Sequence, residues 1–244
     1  MPLPTEKRKP KRALADYSHL IFGPPKIGKT TFCSQMDVPL FLATEPGTNA
    51  LEVYEYPVPD WKAFCQAAAE IAAGDHPFKT IVIDTVDNLW RFCSVYVRER
   101  NGIQHESDLD WGKGWDLVKG EFHRVISKLA LLPYGLVLVS HSEEKEFKTR
   151  AGTISKYVCS LPKGGREVCL NLVDMILFAT SVLTDEGERR VLRTRPSENF
   201  EAGGRLQLPI DDPLPLHYPT YKEAFEQAIA ERIGQTQPTE KGGQ

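Results

Sequence analysis

The octapeptide Gly23-Pro24-Pro25-Lys26-Ile27-Gly28-Lys29-Thr30 fits the spacing G-x-x-x-x-G-K-[ST]. An apolar run, His19 to Phe22, precedes it and a predicted helix follows, which is the context this spacing requires to act as a phosphate-binding loop. Each residue type has a chemical reason. Glycines let a phosphate approach the main chain, and backbone N–H groups at the start of a helix complement its charge. Lys29 is placed to hold the β- and γ-phosphates of a nucleotide, and Thr30 to offer a hydroxyl to Mg²⁺. With Thr31, these residues form the expected nucleotide-binding set.

A second group of polar residues ends apolar segments. Thr80-Ile-Val-Ile-Asp84 reads as a buried strand whose carboxylate would face the metal opposite Thr30, the Walker B position. The plainer reading of Asp84 is a helix cap. Thr85 follows it where many AAA-type ATPases carry a catalytic glutamate, so the base that activates water must come from elsewhere. Glu45 ends the run Leu40-Phe-Leu-Ala-Thr44 and reaches the γ-phosphate if that strand neighbours the Asp84 strand; otherwise it is a loop glutamate before the Pro46-Gly47 turn. Late in the chain, Val191-Leu-Arg-Thr-Arg-Pro196 sets Arg193 and Arg195 at i and i+2, on one face of a strand. They could line a solvated edge or pair with Glu186 and Glu188 across a turn at Thr184–Gly187.

The elements that must position these residues alternate between short apolar runs and longer helical patterns, the signature of a mainly parallel α/β sheet with crossover helices. Strands are expected at 19–22, 39–44, 80–84 and 135–140, and helices from Lys29, over 60–73, 86–100 and 115–132, and near 219–233. After residue 140 the pattern changes to hairpins around Gly152 and Gly187.

The 244 residues are 41% hydrophobic, with no long polar linker, which predicts one domain over 17–233. Residues 1–16 read as a basic flexible arm, with five cations in Lys7–Arg12, and 234–244 as a disordered tail. A net charge of -3 argues against a wholly basic nucleic-acid coat and leaves room for local basic patches. Five cysteines without a C-x-x-C pair fit free thiols in a reducing cytoplasm and argue against zinc. No signal-peptide core or membrane-spanning run is evident, so a soluble cytoplasmic protein is expected.

Taken together, GPPKIGKT at 23–30, LFLATEPG at 40–47, IVIDT at 81–85 and LVLVSH at 136–141 resemble the RecA-like P-loop NTPase core. They look most like the core-only phage single-strand annealing proteins, often labelled phage AAA or nucleotide-binding proteins. The resemblance spans roughly residues 17 to 232. It implies ATP and Mg²⁺ as cofactors, with Lys29 and Glu45 catalytic and Thr30 and Asp84 on the metal. Ser140 or His141 would sense the γ-phosphate, although a buried histidine satisfied by backbone is an equally plain reading of His141. It also implies two DNA-facing loops. Gln104–Asp116, with Lys113, Trp111 and Trp115, occupies the first, where the tryptophans are either packing anchors or base stackers. Phe147–Arg166 occupies the second, with Lys148, Arg150, Lys156, Lys163 and Arg166 facing phosphates and Tyr157 stacking on a base. By the same resemblance, Arg193 and Arg195 reach a neighbouring subunit's γ-phosphate, where bacterial RecA carries lysines. Counterparts of the extra domains of longer relatives are not expected in these 244 residues. The resulting expectation is an ATP-hydrolysing homo-oligomer acting on single-stranded DNA in phage recombination or annealing. The alternatives are a small-molecule kinase and a protein-directed regulatory ATPase.

Overall fold

A computed structural model describes residues 3, 5–6, 10–150, 152–208 and 212–236. In chain order the elements are β1 (Ser18–Gly23), α1 (Lys29–Ser34), β2 (Pro39–Ala43), β3 (Tyr54–Pro57), α2 (Trp61–Ala73), β4 (Thr80–Asp84), α3 (Val86–Asn101), α4 (Lys113–Ala130), β5 (Gly135–Thr149), β6 (Gly152–Cys159), α5 (Lys163–Leu172), β7 (Met175–Thr184), β8 (Gly187–Arg193), β9 (Gly203–Gly204), β10 (Leu214–Pro215) and α6 (Tyr218–Thr236). The sheet runs β10-β8-β7-β1-β5-β4-β2-β3, parallel from β7 through β3. The remaining pairings are antiparallel hairpins and returns.

Both faces of the parallel strands are buried, so the strands read as unbroken apolar runs and their side chains divide by parity. Leu20, Phe22, Leu42, Ile81, Ile83, Leu136 and Leu138 face one core, shared with α2, α3, α4 and α5. Ile21, Phe41, Val82, Val137, Val139 and Leu177 face the other, covered by α1 and α6. In the first core Phe122 lies 5.0 Å from Trp90 and 6.0 Å from Trp61, centroid to centroid. Truncating a ring of this kind typically costs about 3–5 kcal/mol.

The expected class, an α/β core with a mainly parallel sheet and later hairpins, is the architecture observed. Three details differ. β3 is an additional edge strand, with Tyr54 largely exposed and Pro57 ending it. Residues 163–166, expected to close the second loop, instead open α5 (Lys163–Leu172). A Cβ on Gly165 would meet the Trp90 ring at 2.7 Å and one on Gly164 at 3.1 Å, so these two helix-weakening glycines are what let α5 close on the core. Finally, the packed structure begins before residue 17: a short turn at Leu14–Asp16 buries Leu14 in the second core. Of the basic run, Lys7, Arg8 and Lys9 lie outside the described residues, as do residues 237–244 of the tail; α6 continues to Thr236.

One buried titratable group ties β1 to α6. His19 Nε2 lies 3.0 Å from the Tyr221 hydroxyl, and burial, only partly opposed by Asp174, pushes its pKa down to about 4. The folded state therefore holds His19 neutral where the unfolded chain protonates it. This stability is complete above about pH 6.5 and falls as pH drops toward about 4, by about 3 kcal/mol in all. Denaturant unfolding of the wild type and of His19→Gln across this range checks it: the substitution should flatten that part of the pH dependence.

Candidate functional site

Parallel register brings the carboxyl ends of β1, β5, β4 and β2 to one edge of the sheet, where α/β folds bind ligands. Gly23 aligns with His141, Asp84 with Val139, and Ala43 with Asp84. Residues distant in sequence thus meet in space. The condition set for Glu45 is satisfied, because β2 is the direct neighbour of β4.

The loop from Gly23 to α1 turns through positive φ at Lys26 (63°) and Gly28 (116°). Alternation of this kind aims successive main-chain N–H groups at an anion. Pro24 and Pro25 have no N–H, so they shape the loop and the donors come from the residues after them. Gly23 is constrained as well: a Cβ there would lie 2.2 Å from the Ala179 carbonyl oxygen on β7.

Lys29 is buried, and its ammonium donates to the carbonyl oxygens of Gly23 at 2.9 Å and Pro24 at 3.0 Å. Burial lowers its pKa, opposed by the nearby Asp84, Asp87 and Glu45 carboxylates. The Thr30 hydroxyl donates to Asp84 Oδ2 at 2.8 Å. Burial raises the Asp84 pKa, so a cation beside it would be favourable. Thr30 and Asp84 are hard oxygen donors, the chemistry Mg²⁺ takes. Among the described residues no cluster of three or more His, Cys, Asp or Glu could hold a metal unaided.

Glu45 faces this centre from the β2 side. Its Oε2 accepts from Asn88 Nδ2 at 2.8 Å, and its Oε1 lies 3.6 Å from His141 Nε2. The following turn closes on the Thr30–Asp84 pair, since a Cβ on Gly47 would stand 4.0 Å from the Thr30 hydroxyl. Of the two sensor candidates, His141 points toward Glu45. Ser140 is fully buried and its hydroxyl donates to Asp87 Oδ1 at 3.0 Å.

This arrangement is matched by what the chain is similar to: a family model described as "AAA domain" covers residues 15–206. The chain belongs to this AAA-domain family of P-loop ATPases. It is also 25% identical, over 233 residues, to the SPbeta prophage-derived uncharacterized protein YorG of Bacillus subtilis (strain 168), an alignment covering 90% of this chain and 68% of that protein. Membership in a P-loop ATPase family implies a nucleotide, usually with Mg²⁺, as the ligand.

Around the AAA site, several sequence-predicted residues fall elsewhere than expected. Arg193 and Arg195 do not share a face. β8 ends at Arg193, whose guanidinium lies over Phe200 and contacts Asp212 Oδ2 at 3.3 Å, on the side of the first core. Arg195 donates to the Leu208 carbonyl at 3.1 Å and lines a cavity against α6, on the side of the second. Neither pairs with Glu186, which binds Arg189 instead.

The second basic segment is not a loop either. β5 and β6 form a ribbon in register from Ser142↔Cys159 to Thr149↔Gly152. Lys145, Lys148, Arg150 and Lys156 on this ribbon are offset by Glu143, Glu144 and Glu146, which lie just upstream of the window read from sequence. Register separates the cations: Lys156 shares a face with Phe147, whereas Lys148 lies on the face of Tyr157 and Glu144. Tyr157 is stacked on Phe178 at 5.7 Å and remains 43% exposed. Arg166 is bound to Glu201 and lies over Phe147, and Lys163 opens α5.

In the first loop, Glu106 is buried against Ser94 and Arg98, leaving Lys113 exposed at the start of α4. Trp111 is 94% exposed at φ 60°, which excludes it as a packing anchor; Trp115 is half-exposed, edge-on to His105.

Three polar residues of the site escaped sequence reasoning. Thr44 clamps β2 to the end of β4, accepting from Thr85 N–H at 2.8 Å and donating to the Thr85 carbonyl at 2.9 Å. Asn88 holds Glu45. Asp87 accepts from Ser140, from His141 N–H and from Ser160 at the foot of the ribbon. The signal for the last two was their place one turn into the helix after Asp84.

Gly23→Ala should destabilise the fold by about 1–3 kcal/mol, because the clash is with main chain rather than a side chain that can rotate away. Urea unfolding would measure this, and nucleotide affinity should fall in parallel as the loop shifts.

Proposed function

We propose that this ATPase couples ATP hydrolysis to work on single-stranded DNA as a RecA-like homo-oligomer. One observation carries the reading: β5 runs unbroken for 15 residues, from the sheet beside β1, through His141 next to Glu45, to the tip of the ribbon bearing Lys148 and Arg150. Asp87 joins the same strand to Ser160 where the ribbon returns. A change at the γ-phosphate end therefore has a direct structural route to a surface with exposed cations. Trp111 offers an exposed ring, and Tyr157 a partly exposed one backed by Phe178, of the kind that stack on unpaired bases. The prophage origin of the relative supports a phage setting.

In this reading Lys29 exchanges its contacts with the Gly23 and Pro24 carbonyls for the β- and γ-phosphates. Glu45, held at one oxygen by Asn88, takes the proton of the attacking water. His141 is the γ-phosphate sensor. Mg²⁺, when bound through Thr30 and Asp84, neutralises charge developing on the phosphates. For Arg193 or Arg195 to act on a neighbour's nucleotide, their contacts with Asp212 and Leu208 must first be exchanged, so the chemistry is assigned to Lys29 and Glu45.

ATP turnover with and without a single-stranded oligonucleotide tests the reading. Stimulation and salt-sensitive binding are expected; the absence of both would sink the DNA assignment. Glu45→Gln should lower turnover about 10²–10⁴-fold while nucleotide binding persists.

The ribbon gives a separate test. Reversing charge in Lys148→Glu with Arg150→Glu should weaken oligonucleotide binding, lower its salt slope by about one for each phosphate no longer neutralised, and leave basal turnover intact. Fluorescence anisotropy across a salt series reads both quantities.

A further inference from the structure

Beside the phosphate loop stands a side chain that none of the roles above uses. A Cβ on Gly28 would lie 3.5 Å from Leu216 Cδ2 and 3.7 Å from Arg190 Nη1. Gly28 is left-handed at φ 116° and immediately precedes Lys29, so this guanidinium stands beside the residue that leads into Lys29. Its backbone is fixed there from two sides. Arg190 pairs with Ser181 across the β7–β8 hairpin, and its carbonyl accepts the Leu216 N–H at 3.1 Å.

Charge gives the position its meaning. Lys29 is the buried cation of the cradle, and Asp84, Asp87 and Glu45 all act on it. A nucleotide polyphosphate adds several negative charges to a site already rich in carboxylates. The neighbouring arginines are engaged elsewhere: Arg189 with Glu186, Arg193 with Asp212 and Arg195 with the Leu208 carbonyl. Arg190 is exposed and, among the described residues, has no carboxylate within ion-pair distance.

We propose that Arg190 is a nucleotide-binding residue acting within its own subunit, its guanidinium holding the diphosphate shared by ATP and ADP on the Gly28 side of the cradle, with Leu216 as the adjoining apolar wall. A guanidinium suits this task because it stays charged and presents paired donors to phosphate oxygens. The inference rests on the nucleotide-site reading of the loop and adds to it a contact supplied by the hairpin on the far side of β1.

The test is titration of the full chain with fluorescently labelled ADP and with a labelled, non-hydrolysable ATP analogue, in the presence of Mg²⁺. Arg190→Ala should weaken both ligands by about tenfold or more and by similar factors. Arg190→Lys should recover part of the loss, and Arg189→Ala should bind like the wild type. Far-UV circular dichroism checks that each variant is folded; Arg190→Gln, which keeps most of the stem, replaces the alanine variant should that one unfold. Unchanged affinity in folded Arg190→Ala, with Lys29→Ala binding lost, overturns the role of Arg190 and leaves the loop reading standing. Loss confined to the triphosphate also overturns it, since the contact would then lie at the γ-phosphate. Failure of the wild type to bind either ligand overturns both.

Discussion

A buried ammonium must be compensated, and the site is organised around meeting that requirement for Lys29. Its ammonium donates to two carbonyls of its own loop, and its charge is met by three carboxylates drawn from the ends of β2 and β4 and the first turn of α3. Each of those groups needs its own support in turn. Asp84 takes the Thr30 hydroxyl, Glu45 takes Asn88, and Asp87 takes two hydroxyls and a main-chain N–H. Removing solvent makes every one of these contacts stronger and every missing partner costlier.

That arrangement is possible because parallel strands end together. In β1, β4 and β5 the residues before the site are almost fully buried on both faces, so none of the strands can slide without moving apolar side chains into the wrong core. The polar ends therefore inherit the precision of the sheet. Close packing adds to it at Gly23, where β1 meets β7 with no room for a methyl group, and at Gly165, where α5 meets Trp90.

Much of this was legible in the sequence, for identifiable reasons. The loop at 23–30, the acid closing 80–84 and the acid closing 40–45 are local patterns at strand ends, and local patterns survive being read one residue after another. What was not legible depends on distant partners. The VLRTRP pair looked like one face until Asp212, nineteen residues on from Arg193, ended the strand by capturing Arg193 and the Thr194 N–H. The basic segment looked unopposed because Glu143, Glu144 and Glu146 lie just before it, on the part of β5 that pairs with β6 in the ribbon. The double glycine at 164–165 argued against a helix that only tertiary contact with Trp90 makes worthwhile. Arg190 carried no signal at all, being one of three cations in a short hairpin until the fold turned it toward Gly28.

The continuity of β5 also limits how this chain can diverge. Side chains alternate along a strand, so a single-residue insertion between His141 and the ribbon would turn every following β5 side chain to the opposite face, carrying Lys148 from the Tyr157 face to the Lys156 face, while the nucleotide site kept its geometry. An insertion of two residues in each strand would lengthen the arm and preserve its faces. Relatives that keep this ribbon should therefore vary in its length by even steps, and an odd step would mark a lineage in which the ribbon presents a different surface.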